Sequence, residues 1–526
     1  MLASALSPIV LGAMLLTMLV VSANDVGQVR PTAVAGTFYP ADRSELEKTV
    51  DGLLAGAQVA PVQGHVWAII APHAGYPYSG AVAAHAYALV KGQKFRRVVV
   101  ISPSHYESFA FASIYDGDAY TTPLGQVAVD KSFAAKLAGA SPLLQLSSRG
   151  HTPAGDRREH ALEVQLPFLQ RALGEFQLVP IVMGDQSYEV SRALGVALAK
   201  TISGPDTLIV ASSDLSHFYK YEEATALDRK PLTALQAWDY FSLSRNLAAG
   251  VWEACGGGPI VAAMIAAERL GATEAALLNY ANTGDVTGDH SRVVGYAAAA
   301  LIQPAAHGSA KIADYSLSRR DQAELLKIVR QSVEAAVRQH TLLEPVAPSK
   351  SDFLLDERGA FVTLTKRGEV RGCIGYVSAL KPLYMTVRDV AAFAAMRDPR
   401  FPPVAPAELG ALEYEISVLS PLRRVTDSKQ IQIGRHGLLV KKGNREGVLL
   451  PQVPVEQGWN RQTFLEQVCL KAGLPPNAWK DKDEDTDLFM FTALVFREHK
   501  NPSNSGESLL EREAAPQGSA PGLPQR

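Results

Sequence analysis

The sequence predicts an α/β fold, with a mainly parallel sheet flanked by helices, followed by a smaller α+β domain. The first 302 residues contain strand-like apolar runs separated by helical stretches such as 80–90 and 191–201. This alternation is typical of βαβ units, and unbroken apolar runs indicate strands buried on both faces. The runs are centred near Val66, Val98, Leu178, Leu208 and Leu277.

Composition narrows the functional classes. The chain has 526 residues, of which 47% are hydrophobic and 20% charged, as in soluble globular proteins. Its net charge is -2 and it has no basic block, so we expect no nucleic-acid partner. Its 3 cysteines are far apart, which argues against a disulfide framework.

The N-terminal segment 1–24 differs from the rest. It has no charged residue before Asp25, and 9–21 is almost entirely apolar. Small residues at 21–23 suit a signal peptidase, so we predict a secretory signal peptide. An uncleaved N-terminal anchor or a misplaced start codon is the alternative. A genuine signal predicts an exported protein, periplasmic or membrane-anchored through this segment alone; otherwise the protein is expected in the cytoplasm.

The predicted domain organisation has three further boundaries. The first domain spans 29–302, a small-residue linker covers 303–314, and the second domain spans 315–498. Ser318 and Asp321 form a capping-box-like start to the first helix of the second domain. Strand candidates follow at 359–364, 411–419 and 437–440. The tail 499–526 is rich in Pro, Gly, Ser and Glu, which predicts disorder.

Polar loops with histidines follow three of the apolar runs. The first carries His73, the second carries His105, and the third carries Asp214 and His217. Ligands gather beyond the carboxyl ends of strands in such sheets, and neutral imidazole is the commonest metal ligand in proteins. We therefore predict a metal centre that includes His73 and His105. For either histidine alone, a structural hydrogen bond is the alternative.

Cys255 is a candidate third ligand. It precedes a predicted helix at 260–270, and a helix N-terminus lowers the pKa of a thiol. The alternatives are a buried thiol beside a glycine turn, or an anion site at the glycines 256–258. Asp214 and His217 are interpreted as general acid/base groups or as groups that orient the ligands. Asp214 could instead be a turn residue.

The segment Glu159-His160-Ala-Leu-Glu163 predicts the start of another helix. His160 and Glu163 are three residues apart and so share a helical face. They could line the same cleft, or form a pair on the helix surface. His85 is expected within an Ala-rich helix, and His290 in a loop.

Together these motifs resemble the Memo family. The resemblance rests on APHAGY at His73, SPSHY at His105, EHALEVQLPF from Glu159, SSDLSHF at Asp214 and the Cys255-Gly pair. It implies a fold similar to that of class III extradiol dioxygenases, which hold non-haem Fe(II) with two histidines and a carboxylate. It also implies that His73, His105 and Cys255 bind iron(II) or copper. Because a cysteine replaces the carboxylate, redox chemistry other than ring cleavage is expected.

The second domain resembles the AMMECR family. VRGCIG at 370–375, RDPRF at 397–401 and GRHGL at 434–438 carry this resemblance, which implies no particular reaction. Cys373 could be a buried thiol beside a turn that requires a particular backbone conformation. It could instead be a nucleophile, with His436 and Glu415 as partners. Cys469 lies in an apolar helical stretch and is expected in the core.

Memo-like and AMMECR-like proteins are also similar to two members of the bacterial AmmeMemoRadiSam system, whose third member is a radical SAM protein. That protein is therefore an expected partner. Fusion would hold both sites at high effective concentration, so we expect them to share one small-molecule or peptide substrate, or one partner. The alternative is a non-catalytic peptide- or partner-binding scaffold.

Overall fold

The computed structural model describes residues 28–153, 156, 158–305, 317–345, 347–348, 351–378, 380–480, 486–499 and 509–511. The signal peptide or anchor predicted at 1–24 lies outside these residues, as do 306–314 of the predicted linker and most of the predicted tail. Within these ranges, no helix combines the length and the apolar character needed to cross a membrane.

The first domain alternates strands and helices, as the apolar runs predict. Its strands are β1 Val29–Arg30, β2 Gly64–Ala71, β3 Arg97–Pro103, β4 Ala112–Ile114, β5 Ala119–Thr122, β6 Gly125–Ala128, β7 Leu144–Leu146, β8 Gln177–Met183, β9 Thr207–Ser212, β10 His217–Tyr219, β11 Glu274–Asn282 and β12 Val293–Pro304. Its helices are α1 Arg43–Gly56, α2 Tyr76–Val90, α3 Lys131–Ala138, α4 Gln165–Leu173, α5 Tyr188–Thr201, α6 Tyr221–Gln236, α7 Tyr240–Ala248, α8 Gly257–Arg269 and α9 Thr283–Thr287.

The main sheet of this domain is parallel at its centre and antiparallel on its flanks. Its strand order is β10-β12-β2-β9-β3-β8-β4-β7, with β11 paired to β12. The four central strands β2, β9, β3 and β8 run parallel. On one side β12 is antiparallel to β2, β10 and β11. The pairing with β11 must be antiparallel, because the connection through α9 is too short for a parallel crossover. On the other side, β4 is antiparallel to β8 but parallel to β7, so continuous parallel pairing is confined to the four central strands.

The second domain is built on an antiparallel sheet. Its strands are β13 Ala360–Lys366, β14 Glu369–Tyr376, β15 Leu412–Leu419, β16 Arg423–Arg424, β17 His436–Lys442, β18 Arg445–Leu449, β19 Thr486–His499 and β20 Leu509–Glu511. Its helices are α10 Arg319–Gln339, α11 Asp352–Leu355, α12 Leu383–Met396, α13 Gln452–Glu456 and α14 Arg461–Lys471. Strand β20 lies within the segment predicted to be disordered, and β12 extends two residues into the predicted linker.

Local sequence signals account for the start of α10. The Ser318 side chain accepts a hydrogen bond from the backbone N–H of Asp321 at 3.1 Å, as the capping pattern predicts. The apolar stripe of α10 then packs into the core of the second domain, where Leu325, Val329 and Val333 are fully buried. Helix and sheet thereby cover each other's apolar faces.

The two domains share an apolar interface. Phe489 of β19 is buried against Phe241 of α7, with ring centroids 5.3 Å apart. Beside this contact, the buried carboxylate of Asp487 accepts hydrogen bonds from Tyr188 at 2.8 Å and from Arg192 at 2.5 Å. Interfaces this apolar hold domains in a defined relation.

We expect Asp487→Ala to lower the free energy of unfolding by roughly 3 kcal/mol, because it removes the acceptor for hydrogen bonds made by buried donors. Chemical denaturation followed by tryptophan fluorescence measures this loss. The matched control is Glu446→Ala. Glu446 pairs across the same interface with Arg245 at 3.9 Å, but both side chains are more than 30% exposed, so a loss below about 1 kcal/mol is expected. Equal losses of unfolding free energy in the two variants would contradict the role of Asp487 at the interface.

Candidate metal centre

The strand order brings three polar loops together. Strand β9 lies between β2 and β3 in the sheet, and all three run parallel. The loops that follow them therefore meet at one edge, and they carry His73, His105 and Asp214. Parallel strands place their carboxyl ends on the same side of a sheet, so sequence positions 141 residues apart become neighbours: the backbone N–H of His73 donates to Asp214 Oδ1 at 2.7 Å.

The ring of His73 is held in one tautomer. Its Nδ1 lies 2.8 Å from Ser212 Oγ. The only hydroxyl proton of Ser212 is donated to the carbonyl of Ala161 at 2.6 Å, so Ser212 must accept the N–H of His73. Gln165 Nε2 also donates to Ser212 Oγ at 2.8 Å. The lone pair on Nε2 of His73 is thereby left for another partner.

Glu159 holds the ring of His105 in one tautomer. Its Oε1 lies 3.0 Å from His105 Nδ1, and its Oε2 accepts the backbone N–H of His105 at 2.6 Å. Burial raises the pKa of Glu159, but the hydrogen bonds from the His105 ring and from nearby backbone N–H groups outweigh it and lower this pKa to about 2. The ionised carboxylate therefore keeps the proton of His105 on Nδ1 and leaves Nε2 free, the usual arrangement behind a metal-bound histidine.

Cys255 lies just before α8, and its thiol is close to the two imidazoles. Its Sγ lies 3.1 Å from His73 Nε2 and accepts the backbone N–H of Asp214 at 3.2 Å. The expected lowering of the thiol pKa by the helix N-terminus was wrong. Burial, together with the neighbouring Asp214 carboxylate, raises the pKa of Cys255 well above its usual value, because two peptide dipoles do not offset the loss of water around a thiolate.

These three side chains form a donor set that suits a transition metal. The ligand atoms of His73, His105 and Cys255 all lie within 4.8 Å of one another. Two imidazole nitrogens and one sulfur match the ligands of iron, copper and zinc, and leave coordination positions open. The His105 side chain is 28% exposed, so the site opens to solvent on that side. The residues therefore fit the predicted metal.

Further polar groups surround this donor set. The His160 ring stacks on His105, with centroids 4.9 Å apart and planes at 4°. Burial lowers the pKa of His160 to about 4, so its imidazole is neutral at physiological pH. Burial raises the pKa of Asp214, whose Oδ2 lies 3.9 Å from His73 Nε2. His217 begins β10, and its backbone N–H donates to Glu253 at 3.3 Å.

The helix expected at Glu159 begins later, and Glu163 does not face the centre. Helix α4 starts at Gln165, because the Glu159 carboxylate binds the N–H groups of His160 and Ala161 in a turn. Glu163 instead pairs with the buried Arg30 at 2.5 Å. His160 lines the cleft as proposed, whereas Glu163 anchors the N-terminal segment.

Gly256 allows Cys255 to approach the sheet. A Cβ at Gly256 would lie 2.1 Å from the carbonyl oxygen of Ser212. We expect Gly256→Ala to displace the start of α8, to destabilise the protein by roughly 1–3 kcal/mol and to weaken metal binding. Gly52→Ala is the matched control: apart from neighbouring backbone of α1 itself, no atom of the described residues lies within 4 Å of its Cβ position, so a gain of about 0.5–1 kcal/mol is expected. Thermal unfolding and metal titration distinguish the two variants. Equal stability and equal metal affinity would contradict the role of Gly256 in positioning Cys255.

The structure does not assemble the triad considered for the second domain. Cys373 Sγ accepts from Thr363 Oγ1 at 3.3 Å, and burial raises the pKa of this thiol. His436 Nδ1 instead accepts the backbone N–H of Gln432 at 3.1 Å. Glu415 is two strands from Cys373 in the same cross-strand row. Within the described ranges, neither His436 nor Glu415 is hydrogen-bonded to Cys373. Cys469 is fully buried in the core, as expected.

Three orienting residues were not singled out in the sequence analysis, although all three lie within motifs that carry the family resemblance. Ser212, Gln165 and Glu159 fix the two imidazoles, yet an isolated serine, glutamine or glutamate is common in any chain. Ser212 opens the motif SSDLSHF, and Glu159 and Gln165 lie in EHALEVQLPF, so their place in these motifs was the available signal. These contacts depend on loops that are distant in sequence, so they could not be read from local pattern.

The fold and the arrangement of loops around the sheet define a Memo-like protein, and the comparisons agree. The family model described as Memo-like protein matches residues 30–300, more than half of the chain, which therefore belongs to this family. A second model, described as AMMECR1, matches residues 326–496. The chain is thus a Memo-like domain joined to an AMMECR1 domain, which confirms both resemblances.

Several relatives cover the first domain. A MEMO1 family protein of Nitrosopumilus maritimus is 34% identical over 280 residues, or 52% of this chain and 100% of that protein. A MEMO1 family protein of Aquifex aeolicus is 38% identical over 270 residues, or 51% of this chain and 97% of that protein. The crystal structure of the uncharacterized protein PH0010 from Pyrococcus horikoshii is similar with 36% identity and a TM-score of 0.33, over 36% of this chain and 95% of that chain.

Proposed function

We propose that the first domain is a metal-dependent redox protein in which His73, His105 and Cys255 bind iron(II) or copper. The observation that carries this proposal is the fixed orientation of both imidazoles. Each donates its Nδ1 proton to a buried acceptor, and each leaves Nε2 available near Cys255 Sγ. A hydrogen-bonded structural histidine would not need a second imidazole and a thiol at the same point.

The metal, when bound, would supply one-electron redox chemistry and stabilise the Cys255 thiolate. Side chains of the protein would release and accept protons at the site. The thiol of Cys255 faces the lone pair of His73 Nε2 at 3.1 Å, so binding at this point displaces a proton. Asp214, whose pKa is raised by burial, is positioned to take up or return a proton at Oδ2. His217 belongs to the same loop and is proposed to assist in proton transfer with solvent.

The surroundings favour a substrate with apolar character. Three exposed aromatic side chains follow the site histidines within five residues: Tyr78, Tyr106 and Phe218, with exposed fractions of 48%, 46% and 60%. Each lies one or five residues from a site histidine in the chain, so we infer that they contact the substrate. We propose an apolar small molecule or a peptide side chain as substrate. The role of the AMMECR1 domain in recognising it, and a radical SAM partner, stay predictions.

Cobalt substitution and oxygen uptake test this function. In the full chain loaded with Co(II), we expect a thiolate-to-metal charge-transfer absorption that is absent in Cys255→Ser. With iron(II) or copper and ascorbate as reductant, we expect oxygen consumption that falls at least about tenfold in Asp214→Asn while metal content is retained. Asp185→Asn, an exchange in a loop beyond the donor set, should leave both unchanged.

The scaffold alternative makes the opposite prediction. If the loaded protein shows neither the charge-transfer absorption nor metal-dependent oxygen uptake, the histidine cleft is a binding pocket. If the absorption is present but oxygen uptake is not, metal ligation stands and the redox role is wrong.

A further inference from the structure

Asp228 of α6 is a buried carboxylate that the proposed function does not use. Its exposed fraction is 0%, and it has no ion-pair partner in the described part of the chain. Its Oδ1 accepts the backbone N–H of Ser216 at 2.8 Å, and its Oδ2 accepts the hydroxyl proton of Tyr280 at 2.8 Å. Burying a carboxylate without a cation is costly, and burial raises the pKa of Asp228. The contact with Ser216 indicates what this carboxylate does.

Ser216 belongs to the segment 213–217, which joins β9 to β10 and carries two of the candidate site residues. Backbone hydrogen bonds attach this segment to β12. The N–H of Leu215 donates to the carbonyl of Gly295 at 2.9 Å, and the N–H of Gly295 donates to the carbonyl of Ser216 at 3.0 Å. The N–H of Ser216 is bound by the Asp228 side chain instead. Asp228 therefore completes the attachment of the segment from the side of α6.

Gly295 leaves the space that the carboxylate occupies. A Cβ at Gly295 would lie 1.9 Å from Asp228 Oδ2. A glycine inside a strand often marks the close approach of another group, and here that group is the Asp228 side chain. Any larger residue at this position would displace the carboxylate.

The segment 213–217 contacts two of the candidate metal ligands. Asp214 Oδ1 accepts the backbone N–H of His73 at 2.7 Å. The backbone N–H of Asp214 donates to Cys255 Sγ at 3.2 Å, and its carbonyl accepts the backbone N–H of Cys255 at 3.2 Å. A displacement of the segment would therefore change the surroundings of both ligands at once.

We propose that Asp228 is a positioning residue, which holds the segment 213–217 in place and so sets the contacts of Asp214 with His73 and Cys255. Its effect on metal chemistry rests on the function proposed above. Its hold on the segment does not depend on a bound metal, so the two can be measured separately.

Hydrogen–deuterium exchange of the metal-free full chain tests the hold on the segment. Asp228→Ala removes both acceptor oxygens, so we expect the backbone amides of 213–219 to exchange at least about tenfold faster, because the segment opens more often. Asp228→Asn keeps one oxygen for the N–H of Ser216 and should stay within about threefold of the wild type. Should Asp228→Ala fail to fold, Gly295→Ala gives the same test, since the added Cβ displaces the carboxylate.

A matched variant separates positioning from a general effect on stability. Asp239→Ala removes another buried carboxylate, which accepts the backbone N–H groups of Ser242 at 2.9 Å and Leu422 at 3.0 Å. Exchange should rise around those two residues and stay unchanged at 213–219. Unchanged exchange at 213–219 in Asp228→Ala, or an equal rise throughout the first domain, would overturn the proposal.

Cobalt binding tests the consequence for the donor set. In Asp228→Ala loaded with Co(II), we expect the thiolate-to-metal absorption to move to longer wavelength, because a weakened hydrogen bond from Asp214 stabilises the sulfur electrons of Cys255 less. Asp228→Asn and Asp239→Ala should keep the wild-type absorption. An unshifted absorption in Asp228→Ala would overturn the proposal. A wild type without this absorption would contradict the proposed metal function instead, and exchange at 213–219 would still decide the role of Asp228.

Discussion

Purified without oxygen and supplied with iron(II) or copper, the full chain is expected to retain about one metal ion, while His73→Ala/His105→Ala retains none, because two of three converging ligand atoms are lost. The wild type should lose its metal on treatment with a strong chelator and recover it on reloading. Metal content after desalting, measured by plasma mass spectrometry, gives both values.

The double variant is expected to remain folded. Removing the His73 ring leaves Ser212 Oγ bonded to Ala161 O and Gln165 Nε2, and Glu159 keeps its bonds to three backbone N–H groups. His85→Ala is the matched control, since that ring sits on α2 and contacts Asn279 at 3.2 Å. Unchanged metal content in the double variant, or no metal in the wild type, would contradict the site.

Glu163→Ala is expected to destabilise the first domain by roughly 3–5 kcal/mol, because it leaves a buried guanidinium uncompensated. Glu163 is fully buried and Arg30 is 3% exposed. The Glu163 carboxylate also accepts from Tyr39 Oη at 2.6 Å and from the N–H groups of Ala33 and Val34 at 2.8 and 3.1 Å. Urea unfolding monitored by circular dichroism measures the change.

Two further variants serve as controls for the stability change in Glu163→Ala. Glu47→Ala removes a carboxylate that is 34% exposed and pairs with Arg43 at 3.1 Å; a loss below about 1 kcal/mol is expected. Glu163→Gln keeps one acceptor oxygen and should fall between the two. If Glu163→Ala instead left stability unchanged but abolished metal binding, Glu163 would belong to the centre after all.

Loss of Glu163 should also reach the metal centre indirectly. Arg30 Nη2 donates to the carbonyl of Glu159 at 2.6 Å, and Glu159 orients His105. A variant that loosens Arg30 therefore loosens the turn that carries Glu159 and His160. This link runs through backbone and side-chain hydrogen bonds between 29–39 and 159–163, which no local sequence pattern reveals.

Much of the architecture follows from local pattern. Continuous apolar runs predicted the buried strands β2, β3, β8 and β9, since only strands covered on both faces need apolar residues at every position. Capping at Ser318 and the apolar stripe of α10 predicted the start of the second domain. The motifs around His73, His105 and Asp214 were sufficient to identify the family of the first domain.

The antiparallel flanks of the sheet were not predicted. Strand direction depends on how a connection crosses the sheet, and the pattern of β11 and β12 is equally apolar in either direction. The start of α4 was misplaced for a related reason. The spacing of His160 and Glu163 does fit a helix. The Glu159 carboxylate, however, binds nearby backbone N–H groups in a turn, so the helix begins later.

By itself, the sequence determined which residue types occupy the ends of the central strands, because those ends follow directly from runs of apolar residues. Only the tertiary structure decided what these residues do. It placed β9 between β2 and β3, set the tautomers of His73 and His105 through Ser212 and Glu159, and raised the pKa of Cys255 by burial. The electrostatic environment of a group depends on everything packed around it, and the groups packed around Cys255 come from loops far apart in the chain.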